Sequence, residues 1–256
     1  VPATRSGVRP PERSQARGPE AAVIGVLGGM GPAATADFYR KIVQATPAER
    51  DQDHLRTIIW SDPSIPDRAT AFLHGGESPV AALIAGARRL EDAGAGFLAV
   101  PCNTAHLFLD QVRDAVGIPI LDMVGATVAE LHRTTAPGSR IAVLGTAATR
   151  ASGLYARRLR SAAFLPLEPS DTEQQAVSAA IAEVKRGAEA AAGQVLAPVI
   201  EAFVRQGAST VIAGCSELPI AWSTLTAVPP VTDPTTALAR ACVAHAAALP
   251  TRTASR

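Results

Sequence analysis

Two short stretches of the chain place a thiol where it could do chemistry. Residues 101–106 read Pro-Cys-Asn-Thr-Ala-His directly after the apolar run Gly96-Phe97-Leu98-Ala99-Val100, and residues 209–219 read STVIAGCSELP. In each, a strand-like run ends on a cysteine and passes straight into residues suited to starting a helix or turn. A thiol at a helix start meets free N–H groups and partial positive charge, which favour the thiolate and lower a reference pKa of about 8.5. A lone cysteine on an apolar strand is more often inert core. A matched pair, Cys102 and Cys215, points instead to a base on one face of a substrate and an acid on the other, the arrangement that inverts a stereocentre by proton transfer. Cys242, inside LARACVAHAAAL, has no such context and reads as core.

The basic residues carry the same signal. Lysine occurs only at 41 and 185, and the interval from Arg68 in SDPSIPDR to Lys185 in AEVKRG equals that from Ile24 to Ile141. Either cation could be solvated surface charge. Read functionally, each supplies one positive group for an anionic substrate, Arg68 with a bidentate fork. The glycine-rich LGGMGPAAT at 27–35 contains Gly29-x-Gly31-x-x-Ala34, close to a dinucleotide fingerprint. Pro32 suits the first helical position, leaving backbone N–H groups to meet an anion. No acidic residue closes a second strand at the spacing that ribose binding wants: Asp51 lies in a polar loop and Asp62 is too distant. A carboxylate is therefore the expected anion, and a nicotinamide enzyme is the weaker alternative.

The elements that must position these groups alternate. VIGVLG, a helix from about Pro32 to Ala45, LRTIIWSD, a helix over PVAALIAGARRLEDAG and GFLAVPC predict strands separated by helices, hence an α/β fold with a parallel sheet covered on both faces. The pattern occurs twice. Ile24–Gly28 recurs as Ile141–Gly145, Gly94-Ala95 leading to Cys102 recurs as Gly207-Ala208 leading to Cys215, and PILD at 119–122 recurs as PVTD at 230–233. Three anchors in one order, with offsets drifting only by loop-sized amounts, predict two pseudo-symmetric α/β halves with a ligand cleft between them.

Bulk properties bound the function class. The 256 residues are 47% hydrophobic, enough for one large core or two small ones, and 24 basic against 23 acidic residues leave a net charge of +1. That balance gives no electrostatic footprint for nucleic acid or an anionic membrane. No apolar run reaches the 18 or so residues of a spanning helix and no signal-type apolar stretch opens the chain, which predicts a cytoplasmic protein with a small-molecule partner. The three cysteines lack a CxxC spacing, so the thiols are expected to be free and no metal site is implied. Residues 1–20, rich in Pro, Gly, Arg and Ser, read as a disordered arm.

LGGMGPAAT, TPAERDQDH, IPDR, PCNTAH, AGCSELP and VTDP, in this order, resemble the aspartate/glutamate racemase family, most closely its aspartate racemase branch, from about Val23 to the last helix. The resemblance implies a cofactor-independent amino-acid racemase, commonly a homodimer, with halves at 21–122 and 123–233. It implies that the last helix, about 234–250, packs back on the first half. By motif match Cys102 and Cys215 would be the acid/base pair, and Arg68 and Lys185 would hold a side-chain carboxylate. Met30, Asn103, Thr104, Ser216 and Glu217 would line the pocket. Two departures stand out: the second motif has Ser216 where the family has Thr, and a Thr-Thr-Gly-Thr segment reads Thr146-Ala147-Ala148-Thr149. Aspartate is the expected substrate; glutamate, a broader set of acidic amino acids, or a silent binding protein of the same fold are the alternatives. A pyridoxal phosphate enzyme is disfavoured because neither lysine has a phosphate cup in its vicinity.

Overall fold

The structure, a computed structural model, describes residues 23–225 and 230–249. The arm expected at 1–20 lies outside the described residues. The chain runs β1 (Ile24–Gly28), α1 (Pro32–Ala45), β2 (Thr57–Ser61), α2 (Arg68–His74), α3 (Val80–Asp92), β3 (Phe97–Ala99), α4 (Leu109–Arg113) and α5 (Met123–Thr134). It continues through β4 (Arg140–Gly145), α6 (Ala147–Ala151), α7 (Leu154–Ser161), β5 (Leu165–Leu167), α8 (Asp171–Lys185), α9 (Glu189–Arg205), β6 (Ala208–Gly214), α10 (Leu218–Trp222), β7 (Val231–Thr232) and α11 (Pro234–Ala248).

Among the described residues the strands form two parallel sheets, in the orders β2-β1-β3 and β5-β4-β6-β7. The repeat seen in the sequence is thus a repeat of topology. β1 and β4 are each flanked by the next two strands of their half. The bridge from Leu98 to Ile120 occupies in the first sheet the place that β7 holds in the second. Those positions are PILD and PVTD, and each motif ends on an aspartate that caps the following helix. Asp122 accepts from the Gly125 N–H at 3.0 Å and Asp233 from the Thr235 N–H at 2.9 Å.

Local chemistry explains the boundaries. Pro32 opens α1, where its missing N–H costs nothing, and Phe38 and Ile42 lie four residues apart on its buried face. The helix stops at Thr46, whose successor Pro47 disfavours helical geometry there. α8 opens with Ser170 and Glu173 capping each other reciprocally. β1 is buried along its whole length, as a central parallel strand must be, whereas the edge strand β2 is half exposed.

The core is divided, and one part of it crosses the chain. Leu238, Ala239 and Cys242 of α11 pack with Ile24, Val26, Phe38, Ile42, Phe97 and Met123, so the last helix covers the first sheet. The second sheet carries its own cluster around Val177, Leu196, Ile200, Phe203 and Val211. No helix among the described residues is long and apolar enough to cross a membrane.

Candidate active site

Both cysteines sit just beyond the carboxyl ends of parallel strands. Cys102 follows β3 and precedes a 3-10 turn at Thr104–Leu107, and Cys215 follows β6 and precedes α10. The two thiols line a single cavity of about 50 Å³. Arg68, at the first position of α2, and Lys185, at the end of α8, line it with them, as do Met30, Asn103, Thr104, Ser216 and Glu217. Every residue named from the sequence as a catalytic or pocket-lining candidate is therefore brought to one place. A larger hollow of about 650 Å³, lined by Glu130, Ser139, Ser209 and Arg240, lies at the amino ends of strands and contains no thiol. Volume alone does not locate the chemistry; the carboxyl ends of parallel strands do.

The environments of the two sulfurs differ. Both are almost buried, at 7% exposure for Cys102 and 6% for Cys215, and neither is in a disulfide. Burial pushes the Cys102 thiol up, and the Arg68 guanidinium beside it pulls the other way, helped by the Ala105 N–H. Burial pushes the Cys215 thiol further up, and here the neighbouring charge adds to the effect: Sγ donates to Oε2 of Glu217 at 2.9 Å. The expectation that a helix start lowers both thiols is overturned by desolvation, because a charged sulfur in a dry site loses more hydration than N–H groups return.

The glycine loop behaves differently from a dinucleotide fingerprint. The Gly29 N–H donates to Oγ1 of Thr35 at 2.8 Å, and the Gly31 N–H to Oε1 of Glu217 at 3.2 Å. The carboxylate it meets is the protein's own, from the opposite half. Gly29 needs its freedom twice over: φ is +91°, and a Cβ there would lie 2.2 Å from the Asp62 backbone nitrogen.

Arg68 is fixed by main-chain carbonyls. One terminal nitrogen donates to Ile65 at 3.1 Å and Pro66 at 3.0 Å, the other to Met30 at 3.4 Å. Its Nε and the Nδ2 of Asn103 are buried without a partner among the described residues. Neither Arg68 nor Lys185 belongs to an ion pair there. Unmatched N–H groups and cations in one concavity suit an anionic ligand with several acceptors. Asn103 is oriented by the Tyr155 hydroxyl, which donates to Oδ1 at 2.5 Å. His106 steadies the same loop: Nε2 accepts from the Met123 N–H at 3.2 Å, so Nδ1 carries the proton and donates to the Cys102 carbonyl at 2.9 Å.

Sequence reasoning missed Asp67, Ala69 and Thr146, which also line the cavity. The signal was present for each: Asp67 and Ala69 flank Arg68, and Thr146 opens the segment noted for its lost glycine. Thr146 caps α6 by accepting from the Thr149 N–H at 3.1 Å, and its hydroxyl lies 3.0 Å from that of Thr104 in the other half. The outer threonines thus keep a link across the cleft that the intervening alanines leave undisturbed. Among the described residues no cluster of His, Cys, Asp and Glu could hold a metal ion.

Known proteins share this fold. A model of the Asp/Glu/hydantoin racemase family matches residues 27–242. The broad specificity amino-acid racemase RacX of Bacillus subtilis (strain 168) is 31% identical over 225 residues, covering 86% of this chain and 96% of the relative. Among solved structures, the aspartate racemase of Picrophilus torridus superposes with a TM-score of 0.79 at 33% identity, over 88% of this chain and 94% of that one. An aspartate racemase homologue from Pyrococcus horikoshii OT3 gives 0.68 at 25% identity, over 88% and 98%. A glutamate racemase from Francisella tularensis, 19% identical with a TM-score of 0.62 over 88% of this chain and 81% of that one, shares the fold. A family match across most of the chain, on a fold with parallel sheets in two similar halves, leads to one conclusion: the chain belongs to the Asp/Glu/hydantoin racemase family and is an amino-acid racemase.

Proposed function

We propose that the chain interconverts L- and D-aspartate by proton transfer between Cys102, Cys215 and the α-carbon, with no added cofactor. The observation that carries this reading is the meeting of both thiols with Arg68 and Lys185 in one cavity. Arg68 and Lys185 would hold the side-chain carboxylate, which sets the α-carbon between the sulfurs. One cysteine, as thiolate, takes the α-proton while the other, as thiol, gives its proton to the opposite face. The electron pair of the broken C–H bond spreads onto the α-carboxylate, where backbone N–H groups of the Asn103-Thr104 and Ser216-Glu217 segments would stabilise it. Met30 would pack against the substrate's apolar stem.

The halves 21–122 and 123–233, with α11 returned to the first, would act as two bodies closing on the ligand, in a cytoplasmic homodimer. Sedimentation of the purified chain tests the dimer. A second reading, racemisation of a broader set of amino acids, is favoured by the broad specificity of the Bacillus subtilis relative. Aspartate and glutamate differ by one methylene, worth only about 1–3 kcal/mol of discrimination, so a panel is the proper assay.

Chiral chromatography over single L-amino acids, run without cofactor, should show turnover of aspartate above the others. Cys102→Ala and Cys215→Ala should each lower it by about 10²–10⁴-fold, the usual contribution of a positioned acid or base. Full activity in either variant would remove the two-thiol mechanism. No turnover of any amino acid would remove the function.

A further inference from the structure

The two cysteines are equivalent in the repeat but unlike in their neighbours. Cys102 has a guanidinium beside it, from Arg68. Cys215 has a carboxylate, and the contact is direct, Sγ to Oε2 of Glu217 at 2.9 Å. Glu217 is not free to turn away. Its other oxygen accepts from the Gly31 N–H at 3.2 Å, and the residue is 3% exposed. A carboxylate pinned at both ends, one of them on a thiol, can only accept from that thiol. A thiolate in its place would set two negative charges in contact inside a dry site.

We propose that Glu217 holds Cys215 as the thiol, so that in the free protein Cys102 is the first of the pair to give up its proton and Cys215 is the proton donor. Applied to catalysis, this rests on the racemase reading above; the order of ionisation does not. In the turnover that starts from this state, the Cys102 thiolate takes the α-proton and becomes a thiol. The Cys215 thiol gives its proton to the other face of the α-carbon and is left as a thiolate beside Glu217. One proton leaves Cys102 and one returns to Cys215 through solvent to restore the starting form, with no net change. Glu217 favours that return, and it opposes the reverse assignment in which Cys215 begins as the base.

Other charged groups near Cys215 do not reproduce this. From the first half the cavity presents Cys102, Arg68 and Asp67, and from the second Lys185; the buried Tyr155 hydroxyl is spent on Oδ1 of Asn103. Arg68 acts on Cys102, and Asp67 is committed to the Thr70 N–H as the cap of α2 at 2.7 Å.

The test is a thiolate absorbance titration of the full chain as Cys102→Ala and as Cys215→Ala, with the double variant Cys102→Ala/Cys215→Ala supplying the Cys242 signal to subtract. Cys102 should ionise at lower pH than Cys215. Glu217→Gln in the Cys102→Ala background keeps an acceptor for the Gly31 N–H and turns an amide N–H toward the sulfur. It should give about tenfold more Cys215 thiolate at any pH below the midpoint. Cys215 ionising with or before Cys102 overturns the proposal, as does a Cys215 titration unmoved by Glu217→Gln. If Glu217→Gln does not fold, the order of the two parent titrations still decides. A chain that shows this order but racemises nothing contradicts the function and leaves the proposal standing.

Discussion

At the residue scale, burial governs when either sulfur can act as a base. In the proposed mechanism the α-proton is taken by a thiolate, and burial pushes the thiols of both Cys102 and Cys215 above their ordinary range because desolvation penalises the charged form. Raising the pH would then supply more of that thiolate. For aspartate as substrate, kcat/KM should climb with pH through a midpoint above the reference value of about 8.5. Arg68→Leu removes the guanidinium that favours the Cys102 thiolate, so it should move this midpoint upward as well as raise KM. Initial rates across an alkaline pH series check both. A profile flat through that region would mean that the sulfur is already ionised, and that desolvation does not dominate the site.

At the element scale, the chain ties its last helix to its first. Nζ of Lys41 on α1 lies 2.5 Å from Asp37 and 2.6 Å from Asp233, the cap of α11, with side chains 11–12% exposed. Removing one partner of such a pair leaves uncompensated charge, so Lys41→Met should lose about 3 kcal/mol in urea unfolding. The sign with pH follows from Asp233, whose carboxyl is held below the usual range by Lys41 and by the Thr235 and Thr236 hydroxyls against the cost of burial. A depressed folded pKa contributes stability above the unfolded value of about 3.9 and loses it as pH falls through the folded one. The gap between wild type and Lys41→Met should therefore be widest near neutrality and close on acidification; a gap independent of pH would place the effect in lost packing.

This link also marks the limit of what the sequence discloses. α1 was readable to the residue because Pro32 and the pair Thr46-Pro47 fix its ends by covalent geometry. The strand ends carrying Cys102 and Cys215 were readable because a buried run turned polar at once. Glu217 could be placed in the pocket by motif, but the bond that pins it there comes from the Gly31 N–H, 186 residues earlier in the chain. No local periodicity encodes a contact that depends on two halves closing. The same holds for Thr104 and Thr146, and it is why the pull of helix starts on the thiols was visible in the sequence while the larger effect of burial was not.

At the scale of the whole molecule, two similar halves with dissimilar sulfurs must still obey the symmetry of the substrate. Mirror-image amino acids have equal free energy in water, so at equilibrium they are present in equal amounts whatever the catalyst. The ratio of kcat/KM for the two directions equals that equilibrium constant. The values for L- and D-aspartate must therefore coincide, even though Arg68 faces one thiol and Glu217 the other. What the unlike neighbours can shift is kcat and KM taken separately, because in the proposed two-thiol mechanism each enantiomer would enter on a different protonation state of the pair. Progress curves begun from each pure enantiomer should share one initial slope at low concentration and diverge at saturation. In Glu217→Gln the saturating rates should shift while the low-concentration slopes remain matched. Unequal slopes at low concentration would show that the net reaction is something other than inversion of the free amino acid, since no arrangement of groups around Cys102 and Cys215 can make a catalyst favour one side of an equilibrium.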